Sequence, residues 1–553
     1  MKRSNVNKTV AALAAVGVFL TACGGDDDDD GDDGGGEATA EMTAEDRSDA
    51  GRSGRPVAGD DAERGRIDGD IRTTTEEATT DEAASEMSEE FADAAGGDAA
   101  APAIEMGATD AEGGLFGADE PVPDPRRQDD NTFEDYGYRD FVTVADDPLS
   151  TFALDVDTGS YSVARRWIDE GILPPRESVR PEEYVNAFRY DYDAPRTGLE
   201  LTVDGGPSPF DDDRHLVRIG VQGEIVEDRD RGPAALTFVV DTSGSMDRDD
   251  RLGLVKDSLS ILVDELEDDD TVAIVTYDDS SGVVLEPTAV SDRDEILDAI
   301  DRLRPGGSTN LEAGLREGYA LASDAFRAGG LNRVVLASDG VANVGVTNPD
   351  QLAMMIRGDA NRGIHLVTVG FGMGNFNDVT MEQLADQGDG FYAYVDTEDE
   401  AERLFEDELT STLLTVAKDA KIQVEFDPEV VDSYRLIGFE NRGVLDRDFR
   451  NDDVDAGELG AGHQVTAIYE VELHRGLTPD DRGDVGEVFL RWEDPESGEV
   501  AEIDEDIDLR DIEARWTDTP ADLRLAVVVA VFAEILRENP HAGLGWEALP
   551  DLL

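Results

Sequence analysis

A short apolar run followed at once by polar side chains constrains the fold of this 553-residue chain more than any other feature. The run, LTFVV at residues 236–240, is almost continuously hydrophobic, which is typical of a strand buried on both faces of a parallel sheet. Asp241, Ser243 and Ser245 follow it, and Gly244 between the serines lets the backbone turn. This pattern predicts a buried parallel strand that ends in a group of oxygen ligands.

Two later segments carry similar polar residues. Thr309 lies in a glycine-containing loop before a predicted helix, and Asp339 follows a second apolar run at residues 333–337. In a doubly wound sheet, the ligand crevice lies beyond the carboxyl ends of the strands, where loops distant in sequence meet. We therefore expect these two residues to approach Asp241, Ser243 and Ser245.

The five candidate ligands offer only hard oxygen atoms. Such a set suits Mg²⁺, with Mn²⁺ or Ca²⁺ as alternatives, and does not suit Zn²⁺. The spacing of Asp241, Ser243 and Ser245 alone would be weak evidence, because Asp and Ser also favour turns and helix N-caps. The two additional strand ends make the prediction of a metal site much stronger.

The pattern resembles the von Willebrand factor type A (VWA) domain and its metal-ion-dependent adhesion site (MIDAS). The matching residues are Asp241, Ser243, Ser245, Thr309 and Asp339, within residues 234–417. The resemblance implies an α/β fold with a doubly wound, mostly parallel sheet. It also implies a bound Mg²⁺ whose remaining coordination position takes an Asp or Glu side chain of a protein partner, as in cell adhesion, and no catalytic residue.

The flanking regions resemble those of a bacterial family of VWA-containing lipoproteins. The similarity lies at residues 148–157 and 189–192 before the VWA-like region, and at 434–438, 440–442 and 462–466 after it. We predict an accessory domain at 146–233, and a β-rich C-terminal domain with a terminal helix at 418–553. The strands predicted at 199–203 and 215–222 are expected to join the sheet after residue 418, so that the VWA-like domain is an insertion.

The N-terminal sequence has the features of a secretory signal. A basic start precedes about 11 apolar residues, too few for the ~20 that span a membrane. Residues 20–23, LTAC, resemble a bacterial lipobox, which implies cleavage after the signal peptide at 1–22 and lipidation of Cys23. Cys23 is the single cysteine, so no intramolecular disulfide can form. We expect a protein of the bacterial cell envelope, lipid-anchored to the outer side of a membrane.

Residues 23–145 are predicted to be a disordered linker. The segment is acidic, contains few aromatic residues and lacks apolar periodicity, so it cannot bury enough surface to offset its ordering entropy. About 120 flexible residues span roughly 60 Å. Residues 26–37 match the EF-hand expression, but the lack of flanking amphipathic helices favours a chance match.

The formal net charge of −82 disfavours nucleic acid and anionic lipid surfaces as partners. Self-repulsion of this size suggests a salt-loving source, because the Debye length falls from about 8 Å at 0.15 M salt to about 3 Å at 1 M. An acidic partner would also be repelled. One solution is that the acidic linker itself supplies the carboxylate at high effective concentration.

The sequence suggests two other functions. A metal-dependent phosphohydrolase is suggested by Asp241 at a strand end, but Ser243 stands where that chemistry needs a second Asp, and the chain has neither a phosphate-binding P-loop nor a G-x-S-x-G motif. We therefore expect no enzyme activity. The alternative is a structural or envelope-assembly protein that uses its β domain as the main contact. The partner's identity and the oligomeric state stay open.

Overall fold

The computed structural model describes residues 131–552 apart from 210, 212, 227–230, 341–343, 361, 374–375, 409–412, 453, 480 and 496. The predicted signal peptide, Cys23 and the EF-hand-like stretch lie outside the described residues. The strands of the described part are, in chain order, β1 (Val142–Thr143), β2 (Leu149–Ala153), β3 (Leu199–Pro207), β4 (Arg214–Gly223), β5 (Ala234–Asp241), β6 (Thr271–Tyr277), β7 (Ser281–Ala289), β8 (Leu331–Ser338), β9 (His365–Phe371), β10 (Tyr392–Val395), β11 (Thr415–Phe426), β12 (Val431–Ile437), β13 (Gly457–Gly460), β14 (Gln464–Leu473), β15 (Asp484–Glu493) and β16 (Val500–Asp508).

The α-helices of the same residues are short to medium in length. They are α1 (Gly159–Asp169), α2 (Pro181–Asn186), α3 (Leu254–Glu265), α4 (Arg293–Asp301), α5 (Leu311–Asp324), α6 (Pro349–Ala360), α7 (Asp378–Gln387), α8 (Glu398–Glu402) and α9 (Ala521–Leu536). From β5 to α8 helices regularly separate the parallel strands, which is the pattern of a sheet with crossover helices.

A six-stranded sheet with the order β10-β9-β8-β5-β6-β7 forms the middle layer of this region. Its strands are parallel except β7, which pairs antiparallel with β6 at one edge. The chain passes from β5 to β6 on one side and later returns to β8 on the other. The strand order therefore reverses at β5, and the crevice beyond this switch point is where α/β sheets bind ligands.

Helices cover both faces of the sheet, because β5 alternates its side chains between two cores. Phe238 shares one core with Val255 of α3, and Val239 shares the opposite core with Leu315 of α5. Trp167 of α1 also joins the second core, so a helix that precedes the sheet in sequence packs on it. The predicted fold class, a doubly wound and mostly parallel sheet, is confirmed.

A β-sandwich is formed by the strands before β5 together with those after β10. One sheet has the order β1-β12-β14-β4-β3, and the other has the order β13-β11-β15-β16 with β2 added beside β11. Val217 and Ile219 of the first sheet share a core with Ile422, Val424 and Val488 of the second. Two sheets that face one core in this way make the C-terminal region β-rich, as predicted.

The parallel-sheet region is an insertion in this sandwich. β4 pairs antiparallel with β14 over nine residue pairs, among them Val221 with Val465. β2 pairs with β11, so both sheets combine strands from before and after the inserted region. The predicted pairing of residues 199–222 with the region beyond 418 is confirmed. It follows that the segments predicted as separate accessory and C-terminal domains share their sheets and core.

The folded part begins earlier than the predicted end of the linker at residue 145. The Thr132 backbone N–H donates to the Phe376 carbonyl at 2.8 Å, and β1 pairs with β12. Arg139 donates from Nε to the Gly438 carbonyl at 3.2 Å. The linker prediction is therefore wrong for residues 131–145, whose few apolar and aromatic side chains are enough to order them against an existing surface.

The helix predicted at the end of the C-terminal region is α9, and it is a core helix. Its residues Val527 and Ala530 pack with Tyr184 of α2 in a core that also includes Ile468 of the sandwich. Within the described part of the chain, no helix combines the length and the apolar character that crossing a membrane requires.

Candidate metal centre

The turn after β5 places three of the predicted ligands together. Asp241 is the last residue of β5 and is fully buried. The Ser243 backbone N–H donates to Asp241 Oδ1 at 2.8 Å, and the Ser243 and Ser245 hydroxyl oxygens lie 3.0 Å apart. Ser243 is buried whereas Ser245 is half-buried, so this group of oxygens lies just below the surface.

The loop that carries Thr309 is bonded to this turn. The Gly244 N–H donates to the Gly307 carbonyl at 3.0 Å, and the Gly306 N–H donates to the Thr242 carbonyl at 2.7 Å. Gly307 has a φ of +77°, and an added Cβ there would lie 2.9 Å from Asp278 Cβ. This left-handed, crowded turn requires glycine. It holds Thr309, which is buried, beside the first loop.

The end of β8 supplies the third loop. Asp339 is fully buried, and the preceding Ser338 hydroxyl donates to Asp241 Oδ2 at 2.9 Å. The Asp339 carbonyl accepts from the Asn377 N–H at 3.2 Å, which brings the loop before α7 to the same place. The structure thus brings the loops of all five predicted ligands together at the switch point, while their binding of a metal stays a prediction.

Comparison with known families gives the identity of this region. Residues 235–407 match the family model of the von Willebrand factor type A domain. These residues run from β5 through α8, which is the inserted sheet with its covering helices, and they include all five predicted ligands. The chain contains a VWA domain. The flanking regions match two further models, one described as von Willebrand factor at residues 127–218 and one described as the C-terminal region of uncharacterized protein YfbK at residues 411–548.

Two relatives match the chain over part of their length. The uncharacterized protein YfbK of Escherichia coli is 41% identical over 340 residues, which are 60% of this chain and 59% of that protein. Inter-alpha-trypsin inhibitor heavy chain H3 of Homo sapiens is 24% identical over 262 residues, 44% of this chain and 29% of that protein. The chain thus matches well under two thirds of the length of each of these two relatives.

Among solved structures, a von Willebrand factor type A protein from Catenulispora acidiphila aligns with a TM-score of 0.40 and 13% identity, over 66% of this chain and 91% of that one. VWA domains commonly bind protein partners, often hold a divalent metal at a MIDAS, and are typically found in adhesion or interaction proteins rather than in enzymes.

The electrostatics of the VWA domain fit a cation at this position. Burial, together with the nearby Asp339 carboxylate, raises the pKa of Asp241 to about 7. Two carboxylates that face each other away from water are unfavourable without a positive charge between or beside them. Hydroxyls of Ser243, Ser245 and Thr309 add neutral oxygen donors of the kind that Mg²⁺ and Mn²⁺ accept. The residues present therefore fit a hard divalent ion.

Sequence reasoning missed Arg251, which reaches into the centre from the turn before α3. Its Nη1 donates to Asp339 Oδ2 and to the Ser245 carbonyl, each at 2.9 Å, and its Nη2 donates to the Met373 carbonyl. Residues Asp249–Gly253 form a π-helical turn directly before α3. The hydrophobic periodicity of the sequence does not predict such a turn, so Arg251 was not recognised as a site residue.

A second group of carboxylates lies outside the VWA domain. Oxygen atoms of Asp419, Asp455 and Glu458 lie within 4.8 Å of one another on the β-sandwich. Asp455 is exposed, and the other two are half-buried. Such acidic groups are common without a metal, and this one lacks the hydroxyl ligands of the VWA site.

Proposed function

We propose that this protein is a binding protein of the bacterial cell envelope whose VWA domain captures a protein ligand through a divalent cation. The observation that carries the proposal is the convergence of Asp241, Ser243, Ser245, Thr309 and Asp339 on three bonded loops at the switch point of the sheet. These residues would hold Mg²⁺, or else Mn²⁺ or Ca²⁺. The cation would supply a Lewis-acidic position for an Asp or Glu carboxylate of the partner.

Access to this position supports a binding role. Gly244 and Gly307 at the rim are exposed, whereas Asp241 and Asp339 beneath them are fully buried. In this proposal a partner's carboxylate approaches over these two glycines, which carry no side chains. In this proposal the protein performs no chemical transformation, since Ser243 occupies the position where an aspartate would act as a general acid.

The test compares partner capture by the full chain and by Asp241→Ala, each with Mg²⁺ and with a chelator. Protein crosslinked from envelope extract should be lost both in the variant and after chelation. Capture that is equal in all four samples would contradict the proposal and favour the β-sandwich as the main contact surface. Circular dichroism of the variant checks that its fold is intact.

We further propose that Cys23 carries a lipid that anchors the protein to the outer side of a membrane. The support is the lipobox-like sequence at residues 20–23 after a short apolar stretch. Cells that express the protein with a labelled fatty acid should label the wild type but not Cys23→Ser. An unlabelled wild type would contradict the anchor.

The acidic linker is a candidate ligand of the same site. The Phe376 N–H donates to Asn131 Oδ1 at 2.8 Å, and the next residue, Asn377, bonds to Asp339. Asp129 and Asp130 therefore directly precede residues that are fixed beside the proposed metal centre. Deleting residues 26–130 should strengthen Mg²⁺-dependent binding of a synthetic peptide with the sequence of residues 120–130. Unchanged affinity for that peptide would count against this internal ligand.

A further inference from the structure

Arg251 is a cationic side chain that is bonded to a predicted ligand of the metal centre. Its side chain is 4% exposed, and that of Asp339, its partner, is fully buried. The ion pair thus lies inside the domain, beneath the rim of the crevice. A buried charge of this kind is costly unless it is paired and hydrogen-bonded.

The surroundings of Arg251 are built to hold it there. Gly372 has a φ of +73°, and a Cβ at this residue would lie 2.6 Å from Arg251 Nε. A side chain at position 372 would therefore displace the arginine. The π-helical turn that carries Arg251 is itself fixed by an ion pair between Arg166 Nη2 and Asp250 Oδ2 at 2.7 Å. π-helical turns occur frequently at functional sites, where they redirect a side chain.

We propose that Arg251 is a built-in counterion that keeps the metal centre folded without metal and lowers its affinity for the cation. This inference rests on the proposed metal site. The guanidinium neutralises Asp339 and joins the Ser245 and Met373 carbonyls, so three loops stay in place when no divalent ion holds them. When a divalent ion enters, the same positive charge opposes it, because two cations close together repel strongly where little water is present.

The charges at the metal centre determine whether it attracts an acidic ligand. Asp241 and Asp339 carry two negative charges, which a divalent cation alone would balance. Arg251 adds one further positive charge, so the loaded centre keeps a net positive charge. An incoming carboxylate is then attracted despite the acidic surface of the protein. The arginine is a positioning residue and does not itself need to touch the ligand.

The test uses full-length Arg251→Gln, which keeps hydrogen-bonding capacity but removes the charge. Arg248→Gln is the matched control. Arg248 lies in the same segment as Arg251, but it is exposed and pairs with Asp250 and not with Asp339. In calorimetric titration, the Arg251→Gln variant should bind Mn²⁺ and Mg²⁺ at least about tenfold more tightly than the wild type. Its melting temperature in chelator should fall, and its gain in melting temperature on adding Mg²⁺ should exceed that of the wild type. The control should match the wild type in all three measurements.

A purely structural role of Arg251 predicts that Arg251→Gln does not bind the metal ions more tightly than the wild type. If Arg251→Gln binds Mn²⁺ and Mg²⁺ more weakly or equally, the counterion role is wrong. Arg251→Lys keeps the charge without the forked hydrogen bonds and should restore the wild-type metal affinity within about threefold. Failure of the wild type to take up either ion would instead remove the proposed metal site, which is a distinguishable result.

Discussion

Asp241 shows how one residue links the sheet to its chemistry. It ends the central strand β5, receives hydrogen bonds from the Ser243 N–H and the Ser338 hydroxyl, and is fully buried. Its backbone continues a strand that must be apolar to pack on both faces, yet its side chain carries charge. Such a residue is stable only where a neighbouring cation or proton compensates it.

The variant Ser245→Ala tests whether a single hydroxyl group contributes to metal binding. Ser245→Ala removes one oxygen that lies 3.0 Å from the Ser243 hydroxyl, without disturbing a buried charge. The Mg²⁺ affinity should fall by at least about tenfold in calorimetric titration, because a direct or hydrogen-bonded ligand is lost.

Ser308→Ala is the control for this change. Ser308 precedes the predicted ligand Thr309 on the same rim, but it is not one of the five predicted ligands. Its variant should keep the wild-type affinity. Equal affinities of all three proteins would show that Ser245 does not contribute to metal binding.

The sequence predicted five residues of the site because each offers an oxygen atom after an apolar strand or in a glycine-containing loop before a helix. Arg251 and Asn377 have no such signature, and Ser338, which directly follows the apolar run at 333–337, was not recognised. Their roles depend on how far a side chain reaches across the crevice and on the π-helical turn, and both are set by tertiary packing. The identity of hydrogen-bond partners from a distant loop is not encoded in any local pattern.

At the scale of elements, the turn after β8 depends on a glycine. Gly340 has a φ of +76°, and a Cβ there would lie 2.7 Å from the Asn377 carbonyl oxygen. Gly340→Ala should destabilise the protein by about 2 kcal/mol or more, because a left-handed conformation and a close backbone contact are both penalised. Urea unfolding measures the change.

Gly358 provides the opposite case within the same domain. It lies in helix α6, is exposed, and a Cβ there would meet open space. Gly358→Ala should therefore stabilise the protein by about 0.5–1 kcal/mol. Destabilisation of similar size by both variants would contradict the role of the turn at Gly340.

Helix α2 contains a buried carboxylate that makes stability depend on pH. Burial, together with the nearby Glu440 and Asp155 carboxylates, raises the pKa of Glu182 to about 7. In the unfolded chain the pKa returns to about 4.5, so between these values the folded state holds a proton that the unfolded state has lost. Stability is therefore present below pH 4.5 and declines as the pH rises toward 7.

Glu182→Gln should remove this part of the pH dependence. The loss of unfolding free energy between pH 5 and pH 8 should be smaller in the variant, by up to about 3 kcal/mol. Glu177→Gln, at a half-buried residue before the same helix, should leave the slope unchanged. Identical slopes in wild type and Glu182→Gln would contradict the assignment. The measurement is urea unfolding at several pH values.

Elements with strong apolar patterns were predictable, and weakly patterned ones were not. The strands β5 and β8 are recognisable in the sequence as buried apolar runs. In contrast, five of the nine residues of β16, VAEIDEDID, are acidic, because it is an edge strand with most of its side chains exposed. Helix α7 was also missed. It is only 10 residues long and has few apolar positions, so its periodicity is weak.

At the scale of the whole molecule, the VWA domain is inserted into the β-sandwich. The sheets of the sandwich therefore need the segments on both sides of the VWA domain. Strands from residues 142–223 and from 415–508 share two sheets. Alternation of apolar residues indicated the strands at 199–203 and 215–222, and these were predicted to pair with strands after the VWA domain. The order of residues 131–145 could not be predicted from their own sequence, since they are held by contacts with surfaces that other parts of the chain form.

The acidic composition leads to a prediction about salt. With a formal net charge of −82, the folded state suffers self-repulsion that salt screens. The melting temperature should rise as KCl increases from 0.1 M to 2 M, and an equal osmolality of glucose should produce a smaller rise. Stability that peaks at the lowest KCl concentration would contradict a salt-loving source.

Calorimetric titration of Mg²⁺ into the metal-free, full-length protein tests the central claim most directly. The account predicts uptake of one ion at a site that Asp241→Ala abolishes, with Mn²⁺ competing for the same site. A wild-type protein that takes up neither Mg²⁺ nor Mn²⁺, or an Asp241→Ala variant that binds as tightly as the wild type, would contradict it.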